Sequence, residues 1–178
     1  EYIFKSFEIA HKIDPNAELY YNDFSMYKPE KCDAAIRIAN KILERGLRID
    51  GIGLQAHWGL DYPSIDEIET SILKIHEAGF RVHFTELDID VLPNLWEIEG
   101  ADLSDNFKSN DQLNPCKSSL PDSISDLLSN RYSEIFELFD KHNDKIDRVT
   151  FWGLSDGHSW KNDWPAKGRT NYPLLFDR

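Results

Sequence analysis

Two cysteines, Cys32 and Cys116, are all that this 178-residue chain contains. They are too few for a disulfide framework and lack the spacing of a metal site. Basic residues are also scarce: 20 Lys and Arg against 32 Asp and Glu leave a net charge of −12. Binding to nucleic-acid phosphates needs a concentrated basic face, and none is present. A neutral ligand fits that balance as well as any other. No stretch approaches the ~18 consecutive apolar residues of a membrane span. Internal repeats, low-complexity tracts and a glycine-rich phosphate loop are missing too, so neither a cofactor nor a metal is expected. No signal peptide opens the chain. Its first residues, Glu1-Tyr-Ile-Phe-Lys-Ser-Phe-Glu-Ile-Ala, read as the interior of a domain.

What is present is a globular composition, 40% hydrophobic, with five Trp, seven Tyr and ten Phe. The length suits one domain with a sizeable core. Helical and strand patterns alternate. Ile3, Phe7 and Ala10 fall at helical spacing over residues 2–12, and Asp14-Pro15 stops that helix. Glu18 to Asn22 reads as a short strand. Pro29 opens a helix through Arg45, with Ile36, Ala39 and Leu43 on one stripe and Gly46 as its stop. Ile49 to Gln55 is the second strand. Ser64 and Glu67 form a capping box for a helix through Ala78, ended by Gly79. Arg81 to Glu86 is the third strand, Asp122 to His142 a helix, and Arg148 to Trp152 the fourth strand.

Alternating strands and helices imply parallel pairing with right-handed crossovers. Without a phosphate loop they favour a (β/α) barrel over a nucleotide-binding sheet. A whole barrel has eight strands, so four make half of one, and residues 1–178 are expected to be an incomplete barrel domain. Residues 88–121 read as one long connection at the C-terminal end of a strand, the side on which barrel active sites form.

Side-chain alternation then gathers chemistry on that side. Gly51, Gly53, Gln55 and His57 are expected on one face of the second strand, Phe84, Glu86 and Asp88 on one face of the third, and Thr150 and Trp152 on one face of the fourth. Glu86 follows an apolar run, where an unpaired charge is costly. His57 on the adjacent strand is expected to hold it, with Asp88 orienting the imidazole. That setting favours an ionised Glu86, as a nucleophile requires. His11, His76, His83 and His142 read as surface or packing residues. Trp152, followed by a loop with Trp160 and Trp164, suits a platform for a sugar ring.

Taken together, Leu19-Tyr-Tyr-Asn-Asp23, Gly51-Ile-Gly-Leu-Gln-Ala-His57, Thr85-Glu-Leu-Asp-Ile89, Val149-Thr-Phe-Trp-Gly153, Ser155-Asp-Gly-His-Ser-Trp160 and Gly168-Arg-Thr-Asn-Tyr-Pro-Leu-Leu-Phe-Asp177 resemble the second half of a glycoside hydrolase family 10 endo-β-1,4-xylanase. The resemblance covers essentially the whole chain. It implies an α/β fold, strands 5–8 of a (β/α)8 TIM barrel, and retaining hydrolysis of the xylan backbone through a covalent glycosyl-enzyme. It matches Glu86 to the nucleophile and His57 and Asp88 to the groups hydrogen-bonded around it. Asn22 and Gln55 match polar groups lining the site, Trp152 the indole beneath the sugar, and Trp160 the indole that covers it. The sequence departs from the family pattern at Phe24-Ser25, where Tyr-Asn is common. It also lacks the Asn-Glu-Ala motif that carries the family's acid/base glutamate.

Three readings remain open on sequence alone. The chain is the C-terminal part of a xylanase barrel, with xylan or xylooligosaccharide as ligand and the N-terminal half as partner. Alternatively it is a non-catalytic xylan-binding half-barrel, or a half-barrel that self-associates as a homo-oligomer through open strand edges. Retaining hydrolysis needs a second carboxyl group ~5–5.5 Å from the nucleophile, so the isolated chain is expected to be inactive. Family habit implies a secreted, periplasmic or cell-surface location.

Overall fold

A computed structural model of the chain describes residues 2–93, 114–165 and 167–177. In chain order the elements are α1 (Tyr2–Ile13), β1 (Tyr20–Asp23), α2 (Pro29–Glu44), β2 (Gly51–Leu54), β3 (His57–Gly59), α3 (Ile65–Glu77), β4 (Arg81–Asp90), α4 (Asp122–Lys141) and β5 (Ile146–Phe151), followed by two short 3-10 turns at Asp156–His158 and Trp160–Asn162. They divide into two compact units. The first comprises Glu1–Ala56, Pro63–Glu86 and Glu137–Thr150; the second comprises His57–Tyr62, Leu87–Phe136 and Phe151–Arg178.

In the first unit β1 runs parallel to β2, with Tyr20 opposite Gly51 and Asp23 opposite Leu54. β2 in turn runs parallel to β4, Gly51 opposite Arg81 and Leu54 opposite Phe84. All four residues of β2 are buried, as are Val82, His83 and Phe84 of β4. Continuous burial of this kind marks parallel strands covered on both faces. Helices provide the cover. Pro29 starts α2 at a position where no N–H is needed, and Cys32, Ala35, Ala39 and Ile42 form its buried stripe. Gly46, at φ 70°, ends it in the left-handed conformation that glycine adopts without strain. The capping box of α3 forms as its sequence predicts: Glu67 N–H donates to Ser64 Oγ, and Ser64 N–H donates to Glu67 Oε2. Its inward stripe is Ile68, Ile72 and Ile75. Phe139 of α4 stacks on Phe84, ring centroids 4.3 Å apart. At the strand starts Arg81 bonds both Glu18 and Asp147, and Tyr20 stacks on His83 at 3.8 Å.

In the second unit β3 runs parallel to the later part of β4, placing His57 opposite Asp88 and Gly59 opposite Asp90. Tyr132 of α4 donates its hydroxyl to Pro173 O at 2.6 Å. Burial, reinforced by Asp88 and Asp156, holds that phenol well above its ordinary pKa. Each unit contains one free, fully buried cysteine, Cys32 in the first and Cys116 in the second. Burial raises both thiol pKa values.

The structure corrects two expectations. The third strand does not end at Glu86. It continues to Asp90 because Leu87 and Ile89 keep apolar alternation going and β3 supplies a partner, so residues 88–90 are strand rather than connection. Of the expected connection, residues 94–113 lie outside the described residues. Second, His57 does not continue β2. Ala56, at φ 66°, breaks the strand, and His57 starts β3. The even alternation from Gly51 to His57 therefore does not hold.

Candidate active site

In the first unit the carboxylate of Glu86 is gripped from β1. Asn22 Nδ2 donates to Glu86 Oε1 at 3.1 Å. The Asn22 amide is itself oriented, because Thr85 Oγ1 donates to Asn22 Oδ1 at 2.8 Å. With the oxygen occupied by Thr85, the NH2 group faces Glu86. Gly53 makes this possible. A Cβ there would lie 2.8 Å from Asn22 Oδ1 and 3.0 Å from Thr85 Cγ2, so any side chain would push the pair apart. Gln55 fixes the backbone: its N–H donates to Asp23 O at 3.1 Å and its carbonyl accepts from Glu86 N–H at 2.9 Å. The Gln55 side-chain amide makes no hydrogen bond among the described residues. Beyond β1, Lys31 pairs with Asp23 at 2.9 Å and lies over the exposed Phe24 ring at 3.7 Å. Burial pushes the Asp23 pKa up, but hydrogen bonds from Lys31, Phe24 N–H and Tyr21 outweigh it and leave it lowered.

In the second unit Asp88, wholly buried, organises an imidazole and an indole. His57 Nδ1 lies 2.9 Å from Asp88 Oδ1, and Trp160 Nε1 donates to Oδ2 at 2.9 Å. A carboxylate only accepts, so the His57 proton sits on Nδ1. The His57 ring meets Trp160 edge-on at 5.0 Å and Trp152 at 6.5 Å. Trp152, immediately after β5, is 46% exposed. Its N–H donates to Leu87 O at 3.1 Å, which anchors the backbone while the indole face stays open. Trp164 stacks beside Trp160 at 6.2 Å. Three indoles and an imidazole thus form one partly exposed aromatic cluster, a surface suited to a sugar ring.

The profile of glycosyl hydrolase family 10 matches residues 1–178. The chain belongs to that family. Among relatives in family 10, the endo-1,4-β-xylanase A of Xylanibacter ruminicola is 44% identical over all of this chain and 48% of its own length. The endo-1,4-β-xylanase of Geobacillus stearothermophilus is 36% identical over 99% of the chain and 49% of its own. Among solved structures, a GH10 endoxylanase retrieved from a sugarcane soil metagenome superposes with a TM-score of 0.88 at 43% identity, over 99% of this chain and 49% of that one. The family fold is a (β/α)8 barrel. The chain, with its parallel strands and intervening helices, spans about half the length of the relatives it matches, in keeping with half of such a barrel.

All seven residues singled out from sequence fall in these two groups: Asn22, Gln55 and Glu86 in the first unit, His57, Asp88, Trp152 and Trp160 in the second. Sequence reasoning missed Thr85, which aims Asn22, and Lys161, whose ammonium lies 3.5 Å from Asp88 Oδ1. Thr85 had a legible signal, since it neighbours Glu86 opposite a glycine strand. Lys161 had none.

Proposed function

We propose that this chain supplies the nucleophile side of a retaining endo-1,4-β-xylanase. The reading is carried by Glu86, a strand-borne carboxylate held at 3.1 Å by an oriented Asn22 amide, in a chain of this family. A Glu86 oxygen attacks the anomeric carbon of a xylose unit as the glycosidic C–O bond breaks. An acid on the complementary half-barrel gives its proton to the departing oxygen. The same group then takes a proton from water, which attacks the glycosyl ester and releases Glu86. The Asn22 bond fixes one carboxylate oxygen and restrains rotation, so attack starts from a prepared geometry. Trp152 and Trp160 stack on the sugar faces, with Gln55 and Asn22 taking hydroxyls. On the family resemblance, His57 and Asp88 are read as catalytic residues that act with the nucleophile. The complementary half comes from the same polypeptide or a separate chain. Xylan is a polymer that cells do not import whole, which places the work outside the cytoplasm.

The test is a hybrid in which this sequence replaces the matching 178 residues of the Xylanibacter ruminicola xylanase. The hybrid is expected to release xylooligosaccharides, its Glu86→Gln variant to lose at least ~10³-fold in kcat, and the chain alone to release none. A folded hybrid that binds xylohexaose without cleaving it refutes the catalytic reading and favours a binding module. Activity that survives Glu86→Gln refutes the assignment of the nucleophile.

A further inference from the structure

Lys161 is a charged residue where the chain has every reason to keep one in water. It lies in the 3-10 turn Trp160–Asn162 and is only 6% exposed. The turn holds it firmly. Lys161 N–H donates to Ser159 Oγ at 3.2 Å, and Asn162 Nδ2 donates to Asp156 O at 2.8 Å and Ser159 O at 3.0 Å. From this position Nζ lies 3.5 Å from Asp88 Oδ1 and 3.6 Å from Asp90 Oδ2, and 5.2 Å from the Trp160 ring centroid.

Burying an ammonium is costly unless opposite charge meets it, and here two carboxylates on one strand do. The dependence is mutual. Asp88 is fully buried and shared between His57 and Trp160, and Asp90 Oδ1 is already taken by Asn171 Nδ2 at 2.8 Å and Leu92 N–H at 2.9 Å. Among the described residues, the other titratable or charged groups that bear on this pair of carboxylates are His57 from β3, Tyr132 from α4, which also feels Asp156, and Arg169, which interacts with Asp90. Among the described residues, Lys161 is the cation that the ion pairs place against both carboxylates at once. Without it, the two negative charges would draw a second proton onto His57, the nearest basic ring.

We propose that Lys161 is a positioning residue. Its buried ammonium is the counter-charge that keeps the His57 ring a single-proton donor to Asp88 and keeps Asp88 aligned to accept from Trp160 Nε1. The role in turnover rests on the xylanase reading; the electrostatic role does not, so the two are tested separately.

In this chain itself, ¹⁵N NMR of the imidazole ring reads its protonation directly. In Lys161→Met the imidazolium of His57 should form at higher pH than in the parent, by at least ~threefold in proton affinity. Lys161→Arg should restore the parent behaviour. Asp90→Asn removes one negative charge and should move the ring the opposite way. It decides the matter if Lys161→Met does not fold. In the hybrid xylanase, Lys161→Met should lower kcat about tenfold, with KM changed less than ~twofold, and move the acidic limb of the kcat/KM profile to higher pH. His57 titration unchanged in both Lys161→Met and Asp90→Asn overturns the proposal. A shifted ring in an inactive parent hybrid sinks the xylanase reading and leaves the role of Lys161 standing.

Discussion

Replacing Asp88 with asparagine changes one atom, removes a buried charge and alters the contacts that Asp88 makes. The carboxylate accepts from two donors, His57 Nδ1 and Trp160 Nε1, each at 2.9 Å, and faces the Lys161 ammonium at 3.5 Å. An asparagine offers one oxygen and one NH2. The Trp160 N–H can only donate, so the amide oxygen must turn to it and the NH2 must face His57 Nδ1. That nitrogen then has to accept, which moves the ring proton to Nε2 and reverses what the outer nitrogen offers a neighbour. Lys161 keeps Asp90 but loses its nearer partner. Breaking a buried, hydrogen-bonded pair from one side costs about 3–5 kcal/mol, and at roughly 2–4 °C per kcal/mol for a chain of this size the melting temperature should fall by about 6–20 °C. Circular-dichroism melting of Asp88→Asn and of the parent measures the first effect; ¹⁵N couplings of the imidazole ring measure the second. A melting temperature within about 2 °C of the parent, with the proton still on Nδ1, would refute the reasoning.

Two further substitutions probe the first unit. Gly53→Ala places a methyl 2.8 Å from Asn22 Oδ1 and 3.0 Å from Thr85 Cγ2, two side chains already locked to each other. It should cost about 1–3 kcal/mol in urea denaturation and, through the lost grip on Glu86, about 10–100-fold in kcat/KM of the hybrid enzyme; parent-like values in both would show that the pair is not pinned. His83 gives a pH dependence: burial first, then the nearby Arg148 and Arg81, lower its pKa below the ordinary 6.5, against an opposing pull from Asp147 and Glu18. The unfolded ring therefore takes up a proton before the folded one. The stability this group contributes is complete above about pH 6.5 and is lost as pH falls from there toward the lowered folded value. In melting curves the parent should lose stability more steeply than His83→Phe between pH 6.5 and 5, and equal slopes would assign the acid sensitivity to other groups.

Much of this architecture is legible because it rests on local rules. Ser64 with Glu67, Pro29 at a helix start, and Gly46 and Gly79 past helix ends each report a backbone need within a few positions, and the structure has them where the sequence puts them. Glu86 and Asp88 were found by alternation within a single uninterrupted strand. The same rule failed between Gln55 and His57, because the left-handed turn falls on Ala56, a residue type that gives no hint of positive φ. His57 instead opens β3, where its ring lies 2.9 Å from Asp88 Oδ1. Lys161 escaped for a different reason. In sequence it is an ordinary lysine among polar residues, and only contacts with Asp88 and Asp90, far back along the chain, make it internal. Long-range burial of a charge has no local signature.

The two thiols have a practical consequence. Cys32 in the first unit and Cys116 in the second are thiols with no exposed surface, and burial keeps both in the unreactive protonated form. An alkylating reagent can therefore reach Cys32 only when the first unit opens, and Cys116 only when the second does. Mass-resolved labelling over time would time the breathing of each part separately in one sample, with no probe introduced.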